Sequence, residues 1–137
     1  MSVVKSKQGT NKFDLFDRTS RTAAHTLKIT QNPNVFDPDK AREVIAEIRK
    51  LAVRIHLLCW RANDIPVPEE DNREALEARI KLEEEALRCC TDLRGLINLA
   101  KPTYHLSGRK TRYWMKMVLE VQDSIRGWRT SERKRIK

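Results

Sequence analysis

WMKMVLEVQDSIRGW, residues 114–128, sets Trp114, Val118, Val121, Ile125 and Trp128 at successive spacings of four, three, four and three. Residues so spaced share one side of an α-helix, because 3.6 residues complete a turn. Strict alternation of four and three is the seam that one helix offers to others packed beside it. The stretch therefore predicts a helix starting near Ser107, with a tryptophan at each end of its buried stripe.

Upstream, the periodicity repeats between prolines. Asp37 reads as an N-cap and Pro38 as a first helical residue. Ala41, Val44, Ile45, Ile48, Leu51, Ala52, Ile55, Leu58, Cys59 and Ala62 then mark an amphipathic helix ending near Asn63. After IPVPEED, Asp71 and Glu74 are spaced as a capping box. The helix they open buries Leu76, Ile80, Leu82, Ala86, Leu87, Cys90, Leu93, Ile97 and Ala100 before Pro102, a length of roughly 45 Å at 1.5 Å per residue. Phe13 to Ile29 reads as a weaker helix, with Phe13, Phe16, Ala23, Ala24 and Leu27 on one side and Thr and Ser diluting the pattern. Four helices with short Pro-marked loops and no alternating β-branched runs predict an all-α, antiparallel up-down-up-down four-helix bundle over residues 13–131. A basic, flexible arm (1–12) precedes it and a basic tail (132–137) comes after it.

At 137 residues the chain is one domain's worth. No stretch approaches the ~20 continuous apolar residues of a membrane span. MSVVKSKQGTNKF has lysines but no apolar run behind them, so it is no secretory signal, and the expected location is the cytoplasm. Three cysteines, Cys89 and Cys90 adjacent, suit reduced thiols in helices rather than a disulfide framework. Charge is segregated: Lys101 to Lys137 holds 11 basic and 3 acidic residues, while residues 1–30 carry a net +4 and residues 31–100 a net −3. Such polarity points to a polyanion, either nucleic acid or an anionic membrane. In an up-down bundle the first and last helices are neighbours, so the two basic ends merge. The acidic run Glu69, Glu70, Asp71, Glu74, Glu77 and Glu83 to Glu85 reads as a solvated face near a helix N-terminus, where acid suits the macrodipole.

With Trp114 to Trp128 turned inward, Arg109, Arg112, Lys116 and Arg126 face outward, and Arg129, Arg133, Lys134, Arg135 and Lys137 extend the row. Such a row can neutralise phosphates without reading bases; its plainer reading is a helix C-terminus finished with basic residues that keep the protein soluble. Membrane binding is disfavoured, because the aromatics of this helix lie in the seam rather than facing lipid. On the second helix, Ala46, Val53, Leu57 and Trp60 lie opposite the core stripe, and Leu96, Leu99, Met115 and Leu119 widen the stripes of the last two helices. An isolated bundle has no use for them, so they predict a protein contact or self-association.

Catalytic and metal signatures are missing from the sequence. None of His25, His56 or His105 follows a Glu by three residues, as di-metal bundles require. Cys59, Cys89, Cys90 and His105 lack zinc spacings, and no phosphate-binding glycine loop occurs. The expectation is no enzyme, no metal and no cofactor.

Ala62-Asn63 closing the second helix, Leu96-Ile97-Asn98-Leu99-Ala100-Lys101-Pro102 closing the third, the turn Tyr104-His105-Leu106-Ser107, and Val121-Gln122-Asp123-Ser124-Ile125-Arg126-Gly127-Trp128 before a basic tail carry a resemblance. From about Phe13 to Arg129 the chain resembles the four-helix-bundle family of the accessory variability (Avd) proteins of diversity-generating retroelements, which also includes ribosomal-RNA intervening-sequence proteins. The resemblance implies a non-catalytic protomer of a ring-like homo-oligomer, a pentamer, that binds RNA, with DNA as a second ligand. It also implies a reverse transcriptase as partner in mutagenic cDNA synthesis. By position it assigns Arg18 and Arg21, with the outward residues of the last helix and tail, to nucleic acid, and the Ala46, Val53, Leu57 and Trp60 face to protein. The polar first helix and Lys-rich arm depart from the family pattern. An intervening-sequence-type protein and a protein-only scaffold stand as the alternatives.

Overall fold

A computed structural model describes residues 3–137, with side chains from Asp14 onward. Four helices are arranged in the order α1 (Val3–Gln31), α2 (Arg42–Asp64), α3 (Arg73–Thr103) and α4 (Gly108–Arg135), and no strand occurs among the described residues. Each helix packs on two neighbours, α1 on α2 and α4, and α3 on α2 and α4. Cross-links run antiparallel: Phe16 meets Trp128 and Thr26 meets Trp114 between α1 and α4, while Arg79 meets Glu132 and Arg94 meets Gln122 between α3 and α4. The result is a four-helix bundle.

Its core is built on α4. Trp114, Val118, Val121 and Ile125 are all buried, and Trp128 is half-buried against the ring of Phe16. Ile48, Leu58, Cys59, Ala86, Cys90, Leu93 and Ile97 complete the centre from α2 and α3. The contribution of α1 differs from the sequence expectation. Its buried stripe is Leu15, Thr19, Thr22, Thr26 and Ile29, with Ala23 beside it, whereas Ala24 is exposed and Leu27 half-buried. Threonine serves as a core residue because its hydroxyl is satisfied within the helix. Thr26 Oγ1 donates to the Thr22 carbonyl and Thr30 Oγ1 to the Thr26 carbonyl, each at 2.7 Å, leaving the methyl groups to pack. Thr26 Oγ1 also accepts from buried Trp114 Nε1 at 3.0 Å, which joins α1 to the α4 seam. The Phe13 side chain lies outside the described residues.

Helix ends shift for local reasons. α2 begins at Arg42, because Asp37 closes a turn instead of capping a helix: its Oδ1 accepts from Asp39 N (3.0 Å) and its carbonyl from Ala41 N (2.9 Å). α3 begins at Arg73 without a side-chain cap, so the Asp71–Glu74 capping box does not form. Asp71 takes a left-handed φ of 50°, and Asn72 turns to the far end of α4 instead. α3 runs through Pro102 to Thr103 and stops in a left-handed turn, where His105 has φ 53° and Leu106 N reaches the Lys101 carbonyl at 2.9 Å. Ser107 caps α4 by accepting from Lys110 N.

The termini also differ from expectation. Backbone helix starts at Val3, inside the stretch assigned to an arm. α4 continues to Arg135, and the two residues beyond it are docked: Asn72 Nδ2 donates to the Arg135 carbonyl (2.8 Å), Lys137 N donates to Asn72 Oδ1 (3.1 Å), and Lys137 Nζ donates to the Glu69 carbonyl (2.9 Å). A helix end held by an asparagine that pairs both its amide and its carbonyl oxygen is not a loose tail.

Candidate nucleic-acid interface on α1 and α4

On α1, Arg18, Arg21, His25 and Lys28 repeat at spacings of three, four and three, so they share one face. On α4, Arg109, Tyr113, Lys116 and Glu120 lie at spacings of four, three and four and share another. Antiparallel packing brings the two rows together along one groove. Arg18, Arg21 and Thr22 face Tyr113, Lys116, Met117 and Glu120 around a recess of about 210 Å³. Tyr113 also borders a larger recess of about 700 Å³, where Lys28, Arg109 and Lys110 rim a floor containing Ile29 and Val35.

The electrostatics of this groove depend on which cations have partners. Arg18 donates to Ser124 Oγ at 2.7 Å, a neutral acceptor that orients the guanidinium and leaves its charge intact. Arg21 lies 3.4 Å from Asp17, an exposed pair of little worth. Among the described residues, Lys28, Arg109, Lys110, Arg112, Lys116, Arg126 and Lys134 make no ion pair. Glu120 is the carboxylate that borders the smaller recess. His25 sits edge-on to Tyr113, ring centroids 5.3 Å apart. Burial and the neighbouring Lys28 hold its pKa below the usual histidine value, so the ring is neutral near pH 7, and its Nε2 is buried without a hydrogen-bond partner.

The remaining basic residues expected to bind nucleic acid divide. Arg112 is exposed on the outer side of α4. Arg126 and Arg129 border a separate groove of about 250 Å³ between α3 and α4, with Arg88, Gln122 and Glu84. There Glu84 takes Arg129 at 3.8 Å and Arg133 at 3.5 Å. Arg135 pairs with Glu132 at 2.9 Å, and Lys137 lies 3.9 Å from Glu70. Arg129, Arg133 and Lys137 are therefore partly occupied in holding α4 to α3 and its leading loop, and Arg135 is paired within α4. The single outward basic face read from the sequence is divided between two grooves flanking α4 and a recess of about 500 Å³ where Lys134, Arg135 and Lys137 meet Val67, Pro68 and Glu69, with Arg112 outside all three.

Sequence reasoning passed over His25, Lys28, Lys110, Tyr113 and Arg88. The three-four-three recurrence after Arg18 was the available signal for the first two. Tyr113, 57% exposed beside the buried Trp114, could have been found by asking which aromatic falls outside the seam.

A second unexpected cluster lies at the other end. Glu83, read as part of a solvated acidic face, is fully buried, and neither of its oxygens finds a donor. Burial first, and then the adjacent Glu132 carboxylate, push the Glu83 carboxyl up to about 8. Arg79 and Arg129 oppose that shift. Buried Arg79 reaches Glu132 at 3.2 Å and donates twice to the Ile65 carbonyl, at 2.7 and 3.0 Å, so this charge network ties the α2–α3 loop to α4. Cys59, Cys89 and Cys90 are buried, and burial raises all three thiols, Cys90 to about 12. They stay protonated. No three of the described His, Cys, Asp and Glu side chains gather as metal ligands, and no described helix is long and apolar enough to cross a membrane.

No family model, curated protein or solved structure matches the chain.

The apolar face of α2 lies where the sequence placed it. Ala46, Val53, Leu57 and Trp60 are all exposed, opposite the core side that carries Ile55, Leu58 and Cys59. Trp60 is anchored edge-on to Phe16, centroids 5.7 Å apart. Leu99 is likewise exposed, whereas Leu96 and Met115 pack against the core.

Proposed function

We propose that the protein is a non-catalytic nucleic-acid-binding bundle, RNA being its first ligand and DNA its second, that serves as accessory protein to a retroelement reverse transcriptase. The observation that carries the binding role is the convergence of Arg18, Arg21 and Lys28 from α1 with Arg109, Lys110 and Lys116 from α4 in one groove, all but Arg21 without an acidic partner among the described residues. Cations left unpaired along a groove are neutralised by phosphates from outside, with release of counterions. The reverse-transcriptase partner and the ring-like homo-oligomer are supported by the resemblance of the helix ends, and by the exposed Val53, Leu57 and Trp60, which give α2 an apolar surface for a protein neighbour.

The test is a salt titration of binding to a structured RNA. Engagement of all six groove cations gives a slope of about −4 to −5 in log affinity against log salt. Binding that does not change with salt contradicts the reading. It would favour the second one, a protein-only scaffold built through the α2 face.

A further inference from the structure

We propose that the recess beside Tyr113 takes an unpaired base, so that the α1–α4 groove selects single-stranded over duplex nucleic acid; this deepens, and rests on, the nucleic-acid reading above.

Three observations converge. Tyr113 is the large aromatic of α4 that lies outside the core, 57% exposed, while its neighbour Trp114 is fully buried. Its edge-on contact with His25 fixes the ring against α1 and leaves ring surface open to a second partner. The recess beside it, about 700 Å³, matches a small organic ligand rather than a duplex. Its lining is also graded as a nucleotide is: Ile29 and Val35 are apolar, Tyr113 and His25 are aromatic, and Lys28, Arg109 and Lys110 supply positive charge. Phosphate contact alone needs only the cations. An aromatic ring and an apolar floor between them have a use when a base leaves its stack and lies on the ring, the mode by which single strands are held without sequence preference. A duplex keeps its bases inside and offers this recess only its backbone. Arg18, Arg21 and Lys116 in the adjoining recess continue the cationic track for the flanking phosphates. A stacked base also lies beside the His25 ring, whose Nε2 lacks a hydrogen-bond partner.

The experiment measures affinity of the full chain for an oligouridylate and for a blunt-ended GC-rich RNA duplex across a salt series, with wild type, Tyr113→Ala and Tyr113→Phe. Tyr113→Ala is expected to weaken oligouridylate binding about tenfold or more with the salt slope unchanged, and to weaken duplex binding far less. Tyr113→Phe, which keeps the ring, is expected to bind as wild type. Thermal melts verify that each variant is folded. If Tyr113→Ala binds oligouridylate as tightly as wild type while the salt slope stays steep, the base-stacking proposal is overturned and the phosphate-binding groove stands. If neither RNA is bound in a salt-dependent way by wild type, the underlying reading fails and this proposal with it.

Discussion

Thr26 decides how α1 meets the rest of the molecule, because its hydroxyl both donates to the Thr22 carbonyl and accepts from the indole of Trp114, whose side chain is fully buried. Thr26→Val keeps the shape and removes the acceptor. Leaving a buried indole N–H unpaired costs about 1–3 kcal/mol, to be read as a lower denaturation midpoint, whereas Thr26→Ser keeps the acceptor and costs about 1 kcal/mol for the lost methyl. His105 holds a left-handed φ of 53°, a conformation that costs a side-chain-bearing residue roughly 1–2 kcal/mol. His105→Gly is therefore expected to stabilise the protein, visible in urea as a higher midpoint with unchanged slope. Glu83 supplies a pH dependence. Its carboxyl titrates in the ordinary range when unfolded and near 8 when folded, so between those values the native state holds the extra proton. Its contribution to stability is complete below the unfolded pKa and declines as pH rises toward 8. Melting curves from pH 5 to pH 8 should show that decline, and Glu83→Gln, which cannot ionise, should flatten it.

At the scale of elements, the rotation of each helix about its axis determines which residues are core and which are surface. Leu57 is 43% exposed and Leu58 is 1% exposed, though the two are adjacent in sequence. Leu58→Ala should cost about 2–5 kcal/mol, while Leu57→Lys should change stability by no more than about 0.5 kcal/mol; equal costs for the two would mean that α2 is rotated from its described phase. That phase was legible in the sequence for α2, α3 and α4, whose buried positions are mostly aliphatic or aromatic and announce their period. It was not legible for α1, where Leu15, Thr19, Thr22, Thr26 and Ile29 repeat at the same four-three spacing as the α4 seam but threonine reads as polar. The residue type concealed the period because hydroxyl satisfaction by a carbonyl one turn back cannot be seen without coordinates. Helix starts failed for a related reason. Asp37 and Asp71 have the chemistry of caps, yet Asp37 serves its own turn, and Asp71 takes a left-handed φ while Asn72, next to α3, serves the end of α4.

Over the whole molecule, the segregation of charge was readable from composition, but the sorting of that charge was not. Glu84 and Glu132 draw Arg129, Arg133 and Arg135 into bonds between or along helices, while Arg18, Arg109 and Lys116 stay without ion pairs on the α1–α4 side. Long-range pairing of this kind depends on which helices are neighbours and on their register, neither of which a charge count contains. Tyr113 was missed on the same ground, since its use depends on what α1 places opposite it. The central claim, that the polyanion surface is the α1–α4 groove and not the basic end of the chain, is tested most directly by comparing two triple variants in the same salt titration with a structured RNA. Replacing Arg18, Arg109 and Lys116 by alanine is expected to lower the salt slope by about two to three units, near one for each lost phosphate contact, while replacing Arg129, Arg133 and Arg135 leaves it nearly unchanged. The opposite pattern, with the slope lost in the second variant and kept in the first, contradicts the account.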